Sequence, residues 1–362
     1  MRARLLVTAA LLGCGGAGDG GVGAVDAALA LDMSVPDAAV VVPPDAAAVV
    51  PDAAVIADAA LAPPDAAPPP DTTCNGHTAY CDRPYNLVIQ PCTHNAFSSK
   101  AYRFVIPTPN QTRTLTEQLD GGVRALMLDT YFWKDDLYLC HGECGPWGNR
   151  KLVDGLNEIR AWMDTHPRDI VTFILEAYIT EAQTLSALEL SGLAAPGGVD
   201  DPAFPLYHAA GPPGSPWPTL GDMLAHNQRL VVFTDDAAAT ASWHLHWPTW
   251  GWETPYGDAA FPCTHGRGDP AAHPNQIFVL NHYSLGAAGG DPTVSAANNT
   301  FDAIVAHSQR CTMASADDNP AGQVPTFVNV DHFDVPTEGG PTPRPDLIDA
   351  VEALNGATPD TP

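Results

Sequence analysis

Two histidines and a set of carboxylates and amides stand where apolar runs give way to polar residues. His94-Asn95 follow Leu87-Val88-Ile89, Asp129 closes the run that starts at Val123, His141 follows Leu137 to Cys140, and Glu176 closes Ile170 to Leu175. Further on, Asp235 follows Leu230 to Phe233, Asn281-His282 follow Ile277 to Leu280, and Asp331 follows Phe327 to Val330. Imidazoles titrate near neutral pH, so a pair of them can take a proton from one reacting oxygen and give one to another. Clustered carboxylate and amide oxygens are the donors that a hard cation takes. A single strand-end His or Asp more often caps a helix or bonds to backbone. Polar ends after seven apolar runs point instead to general acid–base chemistry beside a cation.

These residues need elements that bring them together. The apolar runs are short and strand-like, and helical patterns lie between them: Thr114 to Leu119, then Leu152, Leu156, Ile159 and Met163 before His166-Pro167, and a short Leu220 to Leu224. Val294 to His307 reads as another helix, and Leu347, Ile348, Val351 and Leu354 as a last one with Gly356 as its cap. Strands alternating with helices imply an α/β fold with a parallel sheet. A parallel barrel carries its reactive groups at the carboxyl ends of its strands. Seven strand candidates are one short of a closed eight-stranded barrel, so the expected fold is a distorted or incomplete TIM (β/α) barrel over residues 74–362.

The first 73 residues are of another kind. Met1 to Gly16 hold two arginines, a short apolar run and Leu11-Leu12-Gly13-Cys14. That pattern is an export signal, too short to span a bilayer. Its ending resembles a bacterial lipobox, which implies a signal peptide over residues 1–13 and lipid on Cys14, anchoring an exported protein to the cell envelope. Residues 14–73 read as a disordered Ala/Pro/Asp-rich tether, with Pro-Asp-Ala-Ala at Pro36, Pro44, Pro51 and Pro64. Frequent prolines and the lack of aromatics leave nothing to build a core.

The formal charge is -26, and residues 74–362 hold 33 acids against 14 bases. Nucleic acid is excluded as a partner, because its binding needs clustered Lys and Arg. A small anionic substrate requires local positive charge or a bound cation. Nothing suggests more than a monomer. In an exported chain the cysteines read as disulfides. Proximity pairs Cys74 with Cys81 and Cys140 with Cys144, leaving Cys263 for Cys311 and a buried, free Cys92. Trp243, Trp247, Trp250 and Trp252 either pack a long loop onto the barrel or dip into lipid, and His244 and His246 among them are incidental.

Taken in order, Thr93-His94-Asn95, Gln118-Leu119 with Gly122-Val123-Arg124 leading to Asp129, Leu139-Cys140-His141-Gly142 and Thr172 to Glu176 resemble the X region of phosphoinositide-specific phospholipases C. The resemblance implies a distorted TIM barrel that cleaves a phospholipid-type phosphodiester in two steps through a cyclic phosphate. It makes His94 the general base, His141 the general acid and Asp331 the carboxylate that orients His94. It also implies Ca2+ held by Asn95, Asp129 and Glu176. Two positions depart from the pattern: Met127 stands where the calcium-dependent branch has a fourth, acidic ligand, and Tyr131 where the metal-free bacterial branch has an arginine. Met127 keeps open a binding protein on the same barrel. A glycerophosphodiester phosphodiesterase would carry an early His-Arg-Gly and a Glu-x-Asp pair, which are missing at the matching places.

Overall fold

A computed structural model describes residues 71–105, 108–142, 144–145, 148–285, 289–313, 318–335 and 344–356. The expected signal peptide, Cys14 and nearly all of the expected tether lie outside the described residues. In chain order the strands are β1 (Gln90–Thr93), β2 (Ala125–Trp133), β3 (Asp136–Leu139), β4 (Arg150–Lys151), β5 (Val171–Tyr178), β6 (Leu230–Thr234), β7 (His244–His246), β8 (Gly251–Glu253), β9 (Ile277–Asn281) and β10 (Phe327–Val330). The helices are α1 (Leu115–Asp120), α2 (Leu152–Thr165), α3 (Glu181–Leu190), α4 (Leu220–Ala225), α5 (Trp247–Trp250), α6 (Pro292–Asn298), α7 (Phe301–Thr312) and α8 (Asp346–Leu354).

The strands pair in the order β7-β6-β5-β2-β1-β10-β9-β8, parallel at every step. The first and last strands lie side by side, as barrel closure requires. The seam falls instead between β7 and β8, which α5 joins. This is the incomplete TIM-like barrel that the alternation of elements implies.

Strand side chains alternate between two faces, and the two faces form two separate cores. Inside the barrel, Cys92, Ala125, Ile174, Val231, Phe233, Ile277, Val279 and Phe327 meet one another. Outside, Leu126, Leu128, Phe173, Val232, Phe278, Leu280 and Val328 meet Leu119 of α1, Leu156 and Ile159 of α2, Ile304 of α7 and Leu347 of α8. Each large apolar side chain so buried contributes about 1.5–3 kcal/mol. The same alternation decides which polar residues face inward at the carboxyl ends.

Several expectations need correction. The first strand is Gln90–Thr93 and not Leu87–Ile89: Leu87 closes a 3-10 turn and is 42% exposed. The Ile89 amide is taken by the Asn355 side chain at the end of α8, which leaves Gln90 to open the pairing with β10. Leu137 to Cys140 is no barrel strand but the returning arm of a hairpin, antiparallel to β2. Two barrel strands, β7 and β8, lie in the tryptophan run, where strands of three residues are too short to give an apolar signal. The single helix expected over Val294 to His307 is two, because Thr300 caps a new helix by accepting from the Ala303 amide. The helix α3 has a capping box, Thr180 with Gln183, whose spacing could have revealed it.

All four tryptophans between Trp243 and Trp252 are buried, so they pack the β7–β8 connection and do not reach lipid. His244 faces Glu181 and His246 bonds to Thr249. The three expected disulfides are formed and Cys92 is free and buried, which fits a chain that matures in an oxidising compartment.

His282, just past β9, turns away from the barrel interior. Its Nδ1 shares a hydrogen bond of 2.8 Å with Nδ1 of His307, and Phe261 stacks on its ring. Burial pushes His282 down to about 4 and His307 to about 3, with Arg310 adding to both. In the unfolded chain both would protonate near ~6.5. Protons therefore bind the unfolded state first, and stability is lost as pH falls from there through the folded values. At ~1.4 kcal/mol per pH unit for each proton, the melting temperature is expected to drop steeply between pH 6 and 4. His307→Gln should shrink that drop, and an unchanged pH profile in this variant would sink the assignment.

Candidate active site

The inward positions at the carboxyl ends converge on one cleft of about 180 Å3. Its walls include His94, Asn95, Asp129, Glu176, Asp235, Glu253, Arg267 and Tyr283. Thus the chain brings together the first histidine, the three expected cation ligands, the strand-end Asp235 and three residues, Glu253, Arg267 and Tyr283, that were given no role in the sequence. His141 and Asp331 bond to residues of this cleft from its edge.

His94 follows β1 directly, with its amide on the Val330 carbonyl at 3.0 Å. Asn95 follows in the left-handed region, with φ of 45°, a conformation that asparagine tolerates better than most residues. His94 Nδ1 lies 2.9 Å from Asp331 Oδ1. A carboxylate can only accept, so Nδ1 carries the proton, and in the neutral ring Nε2 keeps its lone pair. Tyr283 stacks on the imidazole with centroids 4.0 Å apart, which fixes the ring plane.

His141 arrives by another route. The strand β2 runs on past the barrel into a two-residue turn in which Lys134 and Asp135 have φ of 49° and 61°, the geometry of a tight hairpin. The returning arm β3 then delivers Cys140, whose amide bonds to the Asp129 carbonyl at 3.3 Å. The disulfide to Cys144 ties down the loop that follows. His141 Nε2 faces Asn95 Nδ2 at 3.2 Å. Burial, and then the charge of His94, push the His141 imidazole below its usual range.

Asp129 and Glu176 sit side by side, paired in the register of β2 and β5. Asp129 is 5% exposed. Burial, then Glu176 and Asp235, hold its carboxyl well above the ordinary carboxylate range. Asp235 is also raised, by burial and Glu176, although it accepts the Ala177 amide at 2.8 Å. Glu176 takes the hydroxyl of Tyr178. Met127 faces inward one layer down and accepts from Asn329 Nδ2 at 3.1 Å, so no carboxylate stands there. Tyr131 stacks on Tyr178 at 4.3 Å, which fills the place of the bacterial arginine with an aromatic pair.

Arg267 is the one basic side chain among the described residues lining the cleft other than His94. It is ion-paired to Glu253, lies over Tyr256, and is held charged by Glu253 against burial. Glu253 in turn accepts from Asn281 Nδ2 at 3.0 Å. Sequence reasoning missed Arg267 because it lies in an irregular loop. Tyr283 had a signal, since Asn281, His282 and Tyr283 must point in, out and in.

The open barrel and this cleft define a phospholipase C-like phosphodiesterase architecture. The family model PI-PLC X matches residues 80–339, and the chain belongs to that family. A PI-PLC X domain-containing protein of Arabidopsis thaliana is 37% identical over 164 residues, covering 43% of this chain and 37% of its own. One from Arthroderma benhamiae is 32% identical over 222 residues, covering 59% and 68%. Thus the chain spans little more than a third of the plant relative. Phosphatidylinositol-specific phospholipase C of Staphylococcus aureus, as a double mutant, superposes with a TM-score of 0.47 at 11% identity, over 77% of this chain and 95% of that one.

Proposed function

We propose that this protein is a phospholipase C-type phosphodiesterase that cleaves a phosphoinositide-like phosphodiester by two-histidine acid–base catalysis. The observation that carries the reading is the His94–Asp331 pair, in which Nδ1 is committed to the carboxylate and the ring stands beside a carboxylate-lined cleft. In this reading His94 Nε2 removes the proton of a substrate hydroxyl next to the phosphate as that oxygen attacks phosphorus. The bond to the diacylglycerol oxygen breaks, and His141 supplies its proton, since an alkoxide leaves poorly at neutral pH. The product is a cyclic phosphate. Water opens it with the roles reversed, His141 taking the water proton and His94 returning one to the ring oxygen.

A phosphodiester is an anion, yet Asp129, Glu176, Asp235 and Glu253 all line its cleft and Arg267 is committed to Glu253. A divalent cation would reverse that field and relieve the raised carboxyls of Asp129 and Asp235. The donor set fits Ca2+: Asn95, Asp129 and Glu176 would hold it, with Asp235 near. Asn95 Nδ2 is used by Asn110 and His141, so its Oδ1 is the atom left for a metal. When bound, Ca2+ supplies charge stabilisation to the phosphoryl oxygens. The lipobox-like start further supports export and lipid anchoring through Cys14 at a membrane, where such a substrate resides.

The test is headgroup release from vesicles of phosphatidylinositol and of phosphatidylcholine, with Ca2+ or EGTA. Cyclic inositol phosphate should appear from the first only, and EGTA should abolish it. Equal cleavage of phosphatidylcholine, which lacks the neighbouring hydroxyl, would sink the intramolecular attack. Tight binding of inositol phosphate without turnover would favour a binding protein instead.

A further inference from the structure

The two histidines are joined by a polar chain that runs through Asn110, a fully buried residue between β1 and α1. One oxygen of Asp331, Oδ1, faces both His94 Nδ1 at 2.9 Å and Asn110 Nδ2 at 2.9 Å. Asn110 Oδ1 accepts from Asn95 Nδ2 at 3.3 Å, and that same amide nitrogen faces His141 Nε2 at 3.2 Å. The Asn110 carbonyl accepts the His332 amide at 2.7 Å, and Gln111 beside it donates to the carbonyls of His94 and Val330. The backbone on either side of the Asn110 side chain is therefore fixed.

We propose that Asn110 is a positioning residue that carries the acceptor character of Asp331 across to His141. The logic is one of polarity. Asp331 can only accept, so Asn110 must present its nitrogen to it and its oxygen to Asn95. Asn95 must then present its nitrogen, which leaves its own oxygen free and makes His141 Nε2 an acceptor with the proton on Nδ1. Among the described residues His141 Nδ1 is buried without a partner, so they select this tautomer only through the chain from Asp331. Asn110 Nδ2 also lies 3.3 Å from His94 Nδ1, longer than the bond from that nitrogen to Asp331, so the carboxylate keeps the His94 proton. Asn110 thereby sets which nitrogen of the second histidine carries the proton in the neutral ring and which atom Asn95 shows to the cleft. The catalytic consequence rests on the function proposed above; the tautomer does not.

The test compares the full chain with Asn110→Leu, which keeps the volume and removes the polarity. Imidazole nitrogen shifts in mildly alkaline solution should show the His141 proton on Nδ1 in the parent and divided between the two nitrogens in N110L, because Asn95 can then turn over. In headgroup release kcat should fall about 10–100-fold with KM within about threefold, the signature of lost alignment. An unchanged His141 tautomer in folded N110L overturns the proposal. Should N110L fail to fold, the exchange Asn110→Asp with Asp331→Asn decides. It still presents an acceptor to Asn95, so His141 must keep its tautomer while His94 reverses; a mixed His141 overturns the proposal. If the parent cleaves no phosphodiester, the functional reading falls, and the tautomer comparison still judges Asn110.

Discussion

His94→Ala and His141→Ala are each expected to lower kcat/KM for phosphatidylinositol by about 10²–10⁴-fold, or ~3–5 kcal/mol of transition-state stabilisation. Neither side chain belongs to the two apolar cores, so both variants should melt near the parent temperature. The two losses should differ in kind. An inositol phosphodiester with a nitrophenol leaving group needs no proton at departure, and on it His141→Ala should recover most of its activity. His94→Ala should not recover, because removing a proton from the attacking hydroxyl is equally needed whatever leaves. Recovery by His94→Ala instead would reverse the assigned roles. Unchanged cleavage by both variants would remove the mechanism altogether. The structure gives this asymmetry its basis: His94 has Asp331 to fix its proton on Nδ1, whereas His141 sits in surroundings that disfavour its charged form.

What the sequence revealed and what it concealed both follow from the alternation of strand side chains. Asp129, Glu176, Asp235 and Asp331 could be read because each extends a long apolar run by one inward position. Once the runs are parallel, those positions converge. The strands β7 and β8 were hidden because a strand of three residues is too short to show an apolar period. With them went Glu253 and the loop that brings Arg267 to it. His141 was found by its flanking cysteines but placed on the wrong kind of element, since Leu137 to Leu139 reads alike in a barrel strand and in a hairpin arm. Asn110 left no mark. It lies in a loop without periodicity, and its importance comes from partners 15 and 221 residues away.

Asp129→Asn is expected to cost at least about 10²-fold in activity and at the same time to stabilise the fold. The carboxyl is buried against Glu176 and Asp235 and its folded value is raised. A raised carboxyl favours the folded state only while it is protonated. That contribution is present below the ordinary value of about 3.9 and is lost as pH rises through the folded one. As pH rises through that range the parent therefore bears the cost of holding a buried acid beside two others. The amide removes that cost, for a gain of about 1–2 kcal/mol and a few degrees in melting temperature. Added Ca2+ should relieve the parent in the same way, by ~2.7 kcal/mol at a hundred times its dissociation constant, and should do little for Asp129→Asn. Calorimetry with and without Ca2+ reads both effects. An amide variant that melts no higher than the parent and still gains stability from Ca2+ would show that the carboxylates are held for some purpose other than a cation. The expected pair of results, lower activity with higher stability, would mean that the fold tolerates this uncompensated charge because the reaction needs it, and that Met127, by withholding one more carboxylate, limits how much of it must be tolerated.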